Sequence, residues 1–174
     1  MNDDFTKKIK QPLHTGLGAA PEKRAIKLTE GSAVARNTAA RLAAVQVLYQ
    51  MKLNNQDADS AVREFITHRI GFNLDGDVFV PAHPELLEAI ITGIKDRWTD
   101  IDDIVTGALA GKTEPETLLV SILRAGTWEL VGNGAVDTGV IINDYLNITT
   151  AFYDGSESKL VNAVLDKVAK TVRG

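Results

Sequence analysis

Cysteine is absent from this 174-residue chain. That excludes disulfides, iron–sulfur ligation and a cysteine nucleophile, and it suits a reducing cytosol. Aromatic residues make up only 6% of the chain. No apolar run approaches the roughly 20 residues a membrane helix needs. The start, MNDDFTKKIK, is polar and has no apolar stretch of signal-peptide type. These features predict a soluble, cytoplasmic protein. Motif chemistry is scarce too. The three histidines, His14, His68 and His83, are scattered and read as surface residues, so no zinc set is expected. Gly16-Leu-Gly18 follows no strand, no Gly-rich loop ends in Gly-Lys-Ser/Thr, and no Gly-x-Ser-x-Gly elbow occurs. Asp100, Asp102 and Asp103 are the densest carboxylates, and they read as a helix start favoured by the macrodipole. No cofactor or metal is expected, and a binding protein is a better reading than an enzyme.

What is present is an uneven charge and a strong helical period. Residues 1–41 hold eight Lys/Arg against four Asp/Glu, residues 42–158 seven against eighteen, and residues 159–174 four against one. Both ends are basic and the middle is acidic. A whole-surface nucleic-acid binder is excluded, whereas a local one is allowed if the ends meet. Residues 1–31 carry Pro12, Pro21 and Gly16, Gly18 and Gly31 with few apolar side chains, and read as a flexible tail. The rest, 32–174, reads as one helical domain.

From about Ser32, an apolar stripe of Ala40, Ala43, Ala44, Val47, Leu48 and Met51 predicts a helix stopped by Asn54-Asn55. A second begins near Asp59-Ser60 and is closed by Ile70-Gly71; residues 72–83 read as a loop. Pro84 suits the first turn of a third helix, and Thr99 or Asp100 can cap a fourth that ends at Gly111. Thr113-x-x-Glu116 has the form of a capping box for a fifth, which breaks at Gly132-Asn-Gly134. The β-branched content of 136–153 admits a strand, but the spacing of Ile141, Tyr145, Ile148, Thr149 and Phe152 favours a helix. A last helix starts near Ser156. The fold class is all-α.

Two stretches suit recognition. Arg36 and Arg41 open the first helix, and guanidinium groups pair with phosphate or stack on bases. Ser156 to Lys159 offers a helix N-terminus with a lysine. A solvated helix start is the competing reading of both.

The runs ARLAAVQVLYQ, LRAGTWEL, VIINDYLNITTAFYDGSESK and LVNAVLDKVAK occur in this order. Together they resemble the NusB family of bacterial transcription antitermination factors over roughly residues 36–173. The most specific pieces are Ile142-Asn143-Asp144 and Val161-Asn-Ala-Val-Leu-Asp166, with Ala44 to Tyr49. The resemblance implies about seven helices in two small bundles, with the last helix near the first. It implies boxA RNA and NusE, a ribosomal small-subunit protein, as partners in an antitermination complex on RNA polymerase. No reaction is implied. Family members occur as monomers and as dimers.

Position by position, Ala40-Arg41 matches the end of the family's arginine cluster. Asn37, Thr38 and Ala39 stand where arginines are common, with Arg36 one place earlier. Lys23, Arg24 and Lys27 of the tail would compensate. Tyr49 matches an aromatic near the family's binding surface. Ser156, Lys159 and Leu160 match its RNA-facing segment, where an aromatic often replaces Leu160. Gly139 and Thr150 stand where lysines are frequent. The expected RNA-binding set is Arg36, Arg41, Tyr49, Ser156, Lys159 and Leu160. Asn143 and Asn162 read as buried ties between helices, and Trp98 and Trp128 as core or interface aromatics. The acidic middle would suit a basic ribosomal protein. Two rivals remain: a methyltransferase relative, which the missing cysteine and cofactor half disfavour, and a protein-only adaptor with weakened or lost RNA binding.

Overall fold

The structure is a computed structural model, and it describes residues 31–68, 80–113 and 115–174. The tail, the expected stop at Ile70-Gly71 and most of the loop after it lie outside these residues. Seven α-helices and no strand occur among those described. They are α1 (Ala33–Asn54), α2 (Ala58–His68), α3 (Pro84–Asp96), α4 (Trp98–Leu109), α5 (Thr117–Gly132), α6 (Thr138–Thr150) and α7 (Ser156–Val172).

Local chemistry sets most boundaries. Ser32 caps α1, its Oγ accepting from the Ala35 N–H at 3.1 Å. Asn55 ends α1 in the left-handed region at φ 49°, a conformation asparagine tolerates. Pro84 opens α3 as the sequence predicts. Asp137 caps α6, accepting from the Gly139 N–H at 2.7 Å, so the β-branched stretch is helical. Two expected caps are corrected. Arg97 rather than Thr99 or Asp100 precedes α4, with no side-chain cap bond. Glu116 itself occupies the N-cap position of α5, so Thr113 lies before the helix and no capping box forms. The Glu116 carboxylate instead accepts from the Tyr153 hydroxyl.

Helix α5 is the axis of the molecule. Its side chains from Leu119 to Thr127, with Glu129 and Leu130, are buried. A helix apolar on nearly every side must be surrounded. Helices α1 and α3 pack on it from one bundle, which α2 completes; α4, α6 and α7 pack on it from the other. Helix α1 also touches α6, but α1 and α7 make no contact. The first and last helices are thus neighbours through α5 and α6, on which both pack, and not in direct contact.

The basic C-terminal residues are largely consumed by the fold. Arg173 spends five donor contacts on the end of α5 and the following turn: Nε to the Leu130 carbonyl at 2.7 Å, Nη2 to those of Glu129 and Asn133, and Nη1 to that of Val136 and the Thr138 hydroxyl. Lys167 Nζ donates to the Gly107 carbonyl at 3.0 Å, at the end of α4. Cations at carbonyl-rich helix ends offset the macrodipole and satisfy orphan acceptors. Lys170 pairs with Asp166 at 2.6 Å. Arg97 pairs with Asp100, and Arg124 with Asp102 while lying 4.7 Å above the Trp98 ring, so of the three expected aspartates only Asp100 lies in the first turn of α4, and two hold neighbouring cations.

Two glycines give the packing a testable contrast. A Cβ on Gly93 of α3 would lie 2.1 Å from the Trp128 ring on α5, whereas one on Gly107 of α4 meets nothing within 4 Å. Gly93→Ala is expected to destabilise by about 1–3 kcal/mol through overpacking. Gly107→Ala is expected to stabilise by about 0.5–1 kcal/mol through helix propensity. Urea unfolding of the two variants checks both signs.

Candidate nucleic-acid interface

The expected site begins at Arg41, and the structure places this residue inside. Arg41 is 2% exposed. Its Nε and Nη2 donate to the two oxygens of Glu129 on α5 at 2.7 and 3.0 Å, and its Nη1 to Asp144 on α6 at 2.7 Å. The Tyr145 hydroxyl donates to Glu129 at 2.9 Å, Asn133 Nδ2 donates to it at 3.1 Å, and the Thr38 hydroxyl donates to Asp144 at 2.9 Å. Burial opposes the guanidinium charge, but the hydrogen bonds and charge of Glu129 outweigh it, and Arg41 holds its proton more firmly than a free arginine. A guanidinium committed in this way has no face left for a phosphate.

The remaining expected residues fall into two groups. Arg36 is half-buried near the start of α1, and it has no ion pair among the described residues. Tyr49, thirteen residues further along α1, lies near Tyr153, whose phenol is pushed above its ordinary range by burial first, then by Glu116 and Glu157, with a small contribution from Tyr49. At 1.5 Å per residue the two groups are roughly 20 Å apart along the helix. Around Tyr49 lies the α6–α7 turn. There Ser156 is exposed and its hydroxyl contacts Glu157 at 2.7 Å, holding that carboxylate below its ordinary range. Lys159 is exposed with no acidic partner, and Leu160 packs on the core. A single ledge made by converging termini is thus corrected to two separated cations, Arg36 and Lys159. Helix α6 spans the interval, running from Asp144 beside Arg41 to the turn beside Tyr49.

Asn143 and Asn162 are corrected as well. Both are exposed rather than buried, and neither side chain ties two helices. With Asn147 and Thr150, Asn143 forms part of the exposed surface of α6. Trp98 and Trp128 are half-buried against the core, in keeping with their expected role. His83 sits before α3 with Nδ1 2.9 Å from a Glu85 oxygen. Among the described residues no group of three or more His, Cys, Asp or Glu could hold a metal, and no helix is long and apolar enough to cross a membrane.

Glu129 is the residue that sequence reasoning passed over. A signal was available. Arg41 lies three, four and seven positions before Ala44, Val45 and Leu48, and Glu129 lies seven and four positions after Ile122 and Ala125. Both charges therefore sit on apolar stripes, and opposite charges on two buried faces imply a pair.

The arrangement defines a class: a helical scaffold of two bundles joined by a buried ion network, with polar and cationic groups displayed along α1, α6 and the α6–α7 turn. The NusB family model matches residues 38–170. The transcription antitermination protein NusB of Agrobacterium fabrum is 42% identical over 139 residues, covering 78% of this chain and 84% of that protein. The NusB of Rhizobium rhizogenes is 41% identical over 139 residues, covering 78% and 87%. A solved structure of T. maritima NusB superposes with a TM-score of 0.63 at 24% identity, over 77% of this chain and 90% of that one, which supports the fold. The chain belongs to the NusB family of transcription antitermination proteins.

The buried network yields two expectations. Arg41→Ala strands Glu129 without its partner and is expected to cost about 3–5 kcal/mol. Arg41→Glu sets three carboxylates together in the interior and is expected to lose helicity; circular dichroism with urea unfolding reads this. The second concerns alkaline pH. Burial, then the charge and hydrogen bond of Glu129, push the Tyr145 phenol well above the ordinary 10.0. The folded chain then keeps a proton that the unfolded chain releases. The stability is complete below that value and declines as pH rises beyond it toward the folded pKa. Tyr145→Phe is expected to flatten this decline, as measured by unfolding across alkaline pH.

Proposed function

We propose that this chain is an RNA-binding antitermination factor that holds boxA-type single-stranded RNA together with NusE. It supports transcription by RNA polymerase in the cytoplasm and catalyses no reaction. The observation that carries the reading is family membership over residues 38–170. Its chemistry is that of a scaffold. Arg36 and Lys159 are cations without acidic partners among the described residues, and Tyr49 lies near Tyr153 of the α6–α7 turn. Asn143 and Asn147 offer amide donors and acceptors between them. RNA in this setting is read from splayed bases rather than from a duplex.

Two such cations give modest affinity for RNA alone. With about 0.7 in the slope of log K against log salt for each phosphate neutralised, roughly 1.4 is expected. NusE would add contacts, and the acidic middle of the chain, residues 42–158, suits a basic partner. A titration of boxA RNA at two salt concentrations, with and without NusE, tests this. The expected result is tighter binding by the pair and a shallow salt slope for the single chain. Arg36→Ala and Lys159→Ala should each weaken binding with folding intact.

A second reading, a protein-only adaptor, is favoured by the burial of Arg41 and by the use of Lys167 and Arg173 as helix caps. These remove cations from the surface. RNA that is not retained with or without NusE would establish it and reject the first reading.

A further inference from the structure

Among the described residues Phe152 is the only aromatic side chain that the fold leaves exposed. It is 44% exposed and takes no part in the core, whereas its neighbour Tyr153 packs on the core and binds Glu116. The backbone fixes it firmly. The Phe152 N–H donates to the Thr149 carbonyl at 3.0 Å, at the end of α6, and Gly155 then turns the chain into α7 at φ 45°. A phenyl group gains by leaving water, so a rigid turn that displays one holds a surface ready for a flat apolar face.

The charge around the turn says which kind of face. Lys159, in the first turn of α7, has no acidic partner, but Asp154 is exposed nearby and Glu157 is held by Ser156. These carboxylates offset part of the lysine's charge, so phosphate attraction is only one part of what the turn offers. A nucleobase carries no net charge and stacks on an aromatic ring whatever its identity. We propose that Phe152 is a stacking platform for one unpaired base of the bound RNA, a role that rests on the RNA-binding reading above. Lys159 then meets the adjoining backbone.

The experiment uses the full chain with NusE and boxA RNA. Because Phe152 does not pack on the core, Phe152→Ala should keep wild-type helicity and unfolding. It should weaken RNA binding by about tenfold, in the range of base–aromatic stacking. The slope of log K against log salt should not change, since no phosphate contact is lost. Phe152→Trp should bind at least as well as the wild type, with its added indole fluorescence quenched by RNA. Wild-type affinity in Phe152→Ala overturns the assignment, and so does a changed salt slope. Weaker binding of Phe152→Ala to NusE in the absence of RNA would place the ring in a protein interface and overturn it as well. Failure of the wild-type chain to retain RNA overturns the functional reading along with this one. Wild-type retention with an unaffected Phe152→Ala overturns this one alone.

Discussion

The bidentate pair between Arg41 and Glu129 is the constraint around which this structure is organised. It joins α1 to α5 in the interior, and Asp144 and Tyr145 bring α6 to the same point. Two charges removed from water cost several kcal/mol each, and only good geometry and complete hydrogen bonding return that. Here the carboxylate of Glu129 accepts from Arg41, Tyr145 and Asn133, so its lone pairs are well used. Such a network contributes less to net stability than to register. An arginine fork fits a carboxylate in few orientations, and this fixes how one bundle meets the other.

That constraint shapes the recognition surface indirectly. With Arg41 committed inside, and Lys167 and Arg173 closing the ends of α4 and α5, the basic ends of the chain supply few cations to solvent. Charge counted along the sequence overstates charge available at the surface. What remains is a sparse surface: Arg36 near the start of α1, Lys159 after the α6–α7 turn, and the asparagines of α6 between. A surface of this kind relies on base contacts and on a partner more than on phosphate attraction.

Much of the architecture was legible in the residues. The apolar stripes of α1, α3 and α7, the proline that opens α3 and the asparagine stop after α1 all act locally, through periodicity or a preferred backbone angle. The caps of α4 and α5 differ from the expected ones, and for α5 the reason is not local. A Thr-x-x-Glu spacing permits a capping box, but Glu116 had a competing partner in Tyr153, which lies 37 residues away. Asn143 and Asn162 were read as buried because they stand among apolar neighbours, yet on a helix adjacent residues point to different sides.

The sequence by itself determined that the chain is helical, where most helices begin and end, and which family it belongs to, because these depend on short-range spacing and on words of a few residues. Only the tertiary structure decided which charges face water. Arg36 and Arg41 are five positions apart on one helix and look alike as letters. One has no carboxylate partner among the described residues, and the other is enclosed by Glu129 and Asp144, which lie 88 and 103 positions away. Whether a cation can meet a phosphate depends on what the rest of the chain has already placed beside it.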